Sequence, residues 1–268
     1  MKKKLSVLIK GMIIPLACYI FLNMWLYLIL IFIAYVISYF FSSNTIFSDG
    51  RLLSNAVFIT GLSAIVFFII FYFGEYKKHL ELINKKEDRF NIKNVKYIVI
   101  LSFSSSLLLN ILLLYIIPFT QNNEMVEEIS ENIYSLNIIT STIIIGVIIP
   151  LAEELLMRGY IYNSLDYVFD YKFAIIISSL IFAILHGNIT QGIYAFILGI
   201  IIALIYKYYN NIIYCFIFHI SANLFVYFFG PILESRDVYG RLFMIFISTA
   251  IMALSIYKIY LDKVRGKK

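Results

Sequence analysis

Apolar residues run along this chain in long blocks, over about residues 11–41, 55–76, 97–119, 138–157, 173–187, 191–207, 212–230 and 242–260. Polar and charged residues collect in the gaps. About 20 helical residues cross a hydrocarbon core of ~30 Å, and most blocks reach or approach that length. They are continuously apolar rather than alternating, which excludes a membrane β-barrel. The pattern predicts an all-α polytopic membrane protein of about eight transmembrane helices, built as a single integral membrane domain over residues 1–268. No linker, internal repeat or low-complexity tract divides it. The first block is longer than one crossing needs, so it tilts or turns at the interface near Asn23. It also outruns the short apolar core of a secretory signal, so "MKKKLSVLIKG" reads as the start of a retained membrane segment.

Composition agrees with the pattern. The 268 residues are 62% hydrophobic and 14% charged, whereas a soluble domain carries about a quarter charged residues. A net charge of +6 would suggest nucleic acid in a soluble chain. Here the cations sit in loops, so the expected partner is the lipid bilayer and no nucleic acid is expected. With the N-terminus inside, every Lys and Arg except Arg51, Arg236 and Arg241 falls on the inner side. The outer stretch "QNNEMVEEISENIYSLN" (121–137) is acidic and has no Lys or Arg. The positive-inside rule therefore predicts a multi-pass protein with both termini cytoplasmic. Cys18 and Cys215 lie singly in apolar runs and read as buried, unpaired thiols.

Chemistry is confined to three places in the second half: "EELLMR" (153–158), "FAILHGN" (182–188) and "FHISAN" (218–223). No charge occurs in the fifteen residues before Glu153. Two of the three histidines, His186 and His219, lie in these stretches; His79 reads as part of a basic loop. Ionisable groups inside a membrane are rare, face the bundle interior, and point to function. Glu154 and Arg158 stand at i,i+4 with the acid N-terminal, the favourable order for an ion pair. Glu153 points about 100° away and is left to face a cavity. Pro150 upstream removes a backbone hydrogen bond and is expected to kink the helix, making room for water. His219 and Asn223 are also i,i+4 and share a face. Phe182 stands four residues before His186, placed to hold its ring.

Each polar residue alone has a bland explanation, such as a bond to a neighbouring helix. Three polar stretches on three helices are most simply buried by converging. A glutamate and a histidine in one cavity can take a proton from water and hand it to a leaving amine. A second histidine with an asparagine can donate to the oxyanion of a tetrahedral intermediate. These are parts for amide hydrolysis without a serine or cysteine nucleophile. Glu153, His186 and His219 could instead hold zinc, although HExxH is absent. No cofactor is otherwise expected.

In order and spacing, "EELLMR", "FAILH" and "HISAN" resemble the EExxxR, FxxxH and HxxxN motifs of the CPBP family of intramembrane endopeptidases, also called the CAAX-protease and bacteriocin-processing or Abi family. The motif-bearing core covers about residues 138–230. The resemblance implies an eight-helix fold and a glutamate-dependent peptidase whose cavity opens to the cytosolic side. By motif position, Glu153 and His186 would activate water, His219 and Asn223 would form the oxyanion hole, and Glu154 and Arg158 complete the first motif. The implied substrate is a membrane-associated peptide or protein in a bacterial plasma membrane, with bacteriocin or pheromone maturation and self-immunity as roles. Placing Glu153 and His186 at one depth requires the fourth helix to continue to about Asp166, with a turn near Asp170. Two other classes compete: a non-catalytic immunity or scaffold protein, and a proton-coupled transporter. An absence of polar residues in the first three helices weighs against the transporter.

Overall fold

Inside lipid every backbone N–H and C=O needs a partner within the chain, and a helix supplies one locally. The computed structural model describes residues 2–41, 51–120, 137–234 and 237–265, and among them no strand occurs. Most of the acidic stretch expected on the outer side, and Arg236 with it, lies outside the described residues. The helices are α1 (2–41), α2 (51–82), α3 Val95–Thr120, α4 Ile138–Val168, α5 Tyr171–Leu185, α6 Ile189–Tyr209, α7 Ile212–Glu234 and α8 Val238–Arg265. All but α5 are long and apolar enough to cross a membrane. At 15 residues α5 spans only about 22 Å.

Contacts divide the chain into two compact units, residues 1–85 with 124–168 and residues 86–123 with 169–268. Each unit draws on both halves of the sequence. The first holds α1, α2 and α4, packed on one another; the second holds the α5–α6 hairpin, with α3 packed against α6, α7 and α8. Large apolar side chains such as Phe32, Phe73, Phe243 and Phe246 stand exposed on the helix flanks. Small polar ones such as Ser63, Ser102, Ser106, Ser178 and Ser179 are fully buried. That inversion of the soluble pattern is what lipid as solvent selects: small residues let helices approach, and apolar ones face the acyl chains. The protein is an all-α, multi-pass membrane protein.

Several boundaries differ from the sequence reading. The first helix begins at Lys2 rather than near residue 11, and α2 runs on to Leu82 through what looked like a basic loop. His79 is therefore a buried helical residue, not a loop residue. Cys215 is buried but Cys18 only half-buried; both are free thiols. The first three helices are also less apolar inside than expected. α3 carries buried Ser102, Ser104, Ser105 and Ser106, and Ser63 of α2 donates to Asn23 of α1 at 2.7 Å.

Candidate active site

α4 carries the first motif. It runs unbroken from Ile138 to Val168 but widens twice into π-helical turns, at Ile144–Ile148 and Leu155–Tyr162. Pro150 sits just after the first widened turn. A helical proline removes one i→i−4 bond and crowds the carbonyl it would have reached. A π turn at that point lets the helix pass the ring without ending. The next eight helical residues after Glu154, Leu155 to Tyr162, are all buried. Val168 is the last helical residue, and Asp170 caps the next helix by accepting from the N–H groups of Lys172 and Phe173, at 2.7 and 2.9 Å. The longer fourth helix and the turn near Asp170 are thus present.

Within the first unit, Glu154 and Arg158 form the ion pair expected from their spacing. Arg158 Nη1 lies 3.3 Å from Glu154 Oε1 and 3.2 Å from Oε2. Nη1 therefore reaches both carboxylate oxygens. Neither side chain has any exposed surface. Each charge is tolerable there because the other is present; removing one partner takes this ion pair away from a charge that stays buried. Glu153, one position earlier, is half-buried. Tyr19 is held edge-on against Phe67, with ring centroids 5.3 Å apart.

The second unit brings the two histidines of the other motifs together around one ring. His186 caps the C-terminus of α5. Gly187 comes next at φ +74°, a left-handed conformation that costs a side-chain-bearing residue about 1–2 kcal/mol. Asn188 then caps α6 by accepting from the Gln191 N–H at 2.8 Å. This His-Gly-Asn corner turns the chain in three residues and fixes His186 at the helix end. Its Nδ1 lies 2.8 Å from the Phe182 carbonyl oxygen. A carbonyl only accepts, so Nδ1 carries a proton, and in the neutral ring Nε2 presents the lone pair. The Phe182 ring meets His186 edge-on at 4.8 Å and His219 of α7 edge-on at 5.6 Å. Phe182 thus braces both imidazoles. His219 is buried; His186 and Asn223, one turn beyond His219, are half-buried.

Two further residues matter that the sequence reading passed over. Ser102 on α3 donates to the carbonyl of Phe218 at 2.7 Å, the residue next to His219, and so ties α7 to α3 at that level. Its only trace in the sequence is the run "SFSSS". In the first unit, His79 stacks on Tyr160 at 4.9 Å, while the Tyr160 hydroxyl donates to the Phe71 carbonyl at 2.9 Å. Buried Tyr76, His79 and Ile83 repeat at helical spacing. That periodicity, continuing past Lys77 and Lys78, is the signal that could have moved His79 out of the loop.

The helices and these embedded polar groups define a polytopic membrane protein with ionisable side chains held inside its packing. The comparison with known proteins then narrows the class. Residues 135–225 match the family model described as type II CAAX prenyl endopeptidase Rce1-like. That interval contains Glu153, Glu154, Arg158, Phe182, His186, His219 and Asn223. The motif-bearing segment is thus similar to an Rce1-like domain, in agreement with the CPBP resemblance of its three motifs. The chain is also 42% identical over 57 residues to the UPF0177 protein YxdF of Lactococcus lactis subsp. lactis (strain IL1403), a stretch covering 21% of this chain and 30% of that relative. The similarity thus spans under a third of the relative's length. No solved structure matches.

Proposed function

We propose that this protein is an intramembrane endopeptidase that cleaves a membrane-associated peptide or protein with water activated by Glu153 and His186. The observation that carries the reading is the placement of His186: Nδ1 is tied to its own helix at 2.8 Å, so in the neutral ring Nε2 is the nitrogen left to accept a proton. Glu153 and His186 take a proton from the attacking water and return one to the leaving amine. His219 and Asn223 donate to the developing oxyanion. Glu154 and Arg158 keep the first motif folded around Glu153, and Phe182 keeps the imidazoles in place. On this reading the protein works from the cytoplasmic side of a bacterial plasma membrane, with both termini on that side. Bacteriocin or peptide-pheromone maturation and self-immunity are the roles that suit such a peptidase.

The same backbone tie on Nδ1 is what a zinc-ligating histidine commonly has, so zinc held by Glu153, His186 and His219 is the second reading, although no three His, Cys, Asp or Glu side chains among the described residues are grouped to hold a metal. In the water-activation reading no cofactor is needed and activity survives strong chelators; zinc lost with activity, and restored with it, would decide for the metal. The central test compares membrane and secreted peptides from cells carrying wild type or Glu153→Ala at equal protein level. Cleavage by Glu153→Ala, His186→Ala or His219→Ala is expected to fall by roughly 10²–10⁴-fold or more. Wild-type turnover in Glu153→Ala removes the mechanism.

A further inference from the structure

Residues 86–94, between α2 and α3, are strapped to the α6–α7 corner. Asp88 N–H donates to the Asn210 carbonyl at 2.9 Å, and Asn210 Nδ2 returns a bond to the Lys86 carbonyl at 2.8 Å. Asn211 Nδ2 donates to the Asp88 carbonyl at 2.8 Å. Glu87 caps α7 by accepting from the Ile212 N–H at 2.8 Å. The Tyr214 hydroxyl closes the strap, accepting from the Asn91 N–H at 2.8 Å and donating to the Asn91 carbonyl at 3.1 Å. Such a loop presents its side chains in a fixed frame.

That frame encloses a cavity of about 420 Å³ walled by Tyr208, Tyr209 and Tyr214, with Arg89 and Lys93 at its edge. The one acid on the lining, Asp88, is engaged by Asn210 Nδ2 at 3.2 Å. The Tyr208 hydroxyl is used by the Ile259 carbonyl at 2.8 Å. Neither Arg89 nor Lys93 has an ion-pair partner among the described residues. The lining therefore carries two cations against one carboxylate, an excess of positive charge, beside a wall of tyrosines. It lies where α6 and α8 end and α3 and α7 begin. Helix ends with tyrosines mark the depth of the lipid headgroups, and basic pockets between helices at that depth suit phosphate-bearing headgroups.

We propose that this cavity binds the phosphate of an anionic phospholipid headgroup, with Arg89 and Lys93 meeting the phosphate and the tyrosines packing on the glycerol. The site is independent of the peptidase reading and is tested without reference to cleavage. Full-length protein in detergent is equilibrated with mixed phosphatidylglycerol and phosphatidylcholine, and retained lipid is counted by native mass spectrometry. Wild type is expected to retain phosphatidylglycerol preferentially, and Arg89→Gln/Lys93→Gln to retain it about tenfold less. Both side chains are exposed, so the variant is compared at equal thermal stability. Lys77→Gln/Lys78→Gln, which removes exposed cations of the other unit, is expected to leave retention unchanged. An equal loss in that control, or no loss in the first variant, overturns the site. Displacement of the lipid by millimolar inorganic phosphate, with no preference left for phosphatidylglycerol, assigns the cavity to a soluble anion and overturns the lipid source.

Discussion

All three helices of the first unit widen into π-helical turns, at Ile9–Ile13, Ile69–Glu75, Ile144–Ile148 and Leu155–Tyr162; the helices of the second unit show none among the described residues. A π turn inserts one residue, rotates the helix beyond it and loosens the backbone bonding of that turn. The first unit uses each consequence. The carbonyl of Phe71, in one widened turn, accepts from the Tyr160 hydroxyl. That of Gly159, in another, accepts from Asn163 Nδ2 at 2.9 Å. Room is also made for Arg158, Tyr160 and Tyr162, among the largest fully buried side chains of the molecule. The second unit instead keeps regular helices and, besides buried serines and His219 along them, puts polar work at their ends, through Asp170, Asn188, Asn211 and the left-handed residues Gly187 and Asn210. The comparison teaches that the same task, holding polar groups in an apolar medium, is met in one unit by deforming helices around buried groups and in the other by ending helices beside them. Charge buried by the first route depends on its partner, whereas an imidazole at a helix end is oriented by backbone.

That contrast can be broken most severely at Arg158. Arg158→Ala leaves Glu154 without its cation inside the first unit, and breaking a buried pair in this way costs about 3–5 kcal/mol. Thermal unfolding in detergent should show a much larger loss than for Glu153→Ala. Replacing both partners with apolar residues, Glu154→Leu/Arg158→Met, should recover most of it. Equal stability of Arg158→Ala and Glu153→Ala would show that the pair is not structural.

A smaller effect is expected at Gly11, inside the first widened turn. A Cβ there would run into Ser164 Oγ and the His79 ring, two groups on other helices. Overpacking of this kind costs about 1–3 kcal/mol, so Gly11→Ala should lower the unfolding midpoint measurably. Serine at position 11 should be no better. An unchanged midpoint would mean that the helices of this unit separate easily, against the close packing described.

The smallest effect sharpens the view of the second unit. Ser102→Ala removes one hydrogen bond to the Phe218 carbonyl, a loss of about 1 kcal/mol. Because α7 remains regular and His219 stays braced by Phe182, Ser102→Ala should keep its fold and show a modest drop in unfolding midpoint. A collapse as deep as that of Arg158→Ala would make the two units alike in how they hold polar groups.

Much of this was legible in the sequence, and the reason is local chemistry. Unbroken apolar runs must be helices in lipid, so the helical segments could be counted from the chain. The i,i+4 order of Glu154 and Arg158 implied their pair, and "FDYK" held the cap that separates α4 from α5. "HGN" contained the glycine and the cap residue of the corner that fixes His186. Each of these depends on residues within four or five positions of one another. The π turns were not legible, because an inserted residue in a uniformly apolar helix leaves no mark on its pattern.

Other features depended on which faces meet, and only the tertiary structure decided them. Sequence alone determined a multi-pass helical protein, the residues of three motifs and the family they resemble. Tertiary packing decided that His79 is buried against Tyr160, that α3 supplies a serine to the backbone beside His219, and that one phenyl ring serves both His186 and His219. The physical reason is the solvent. In water, burial separates apolar from polar faces and writes a stripe along each helix. In lipid the outside is as apolar as the inside, so no stripe is needed and packing is chosen by shape and by a few hydrogen bonds.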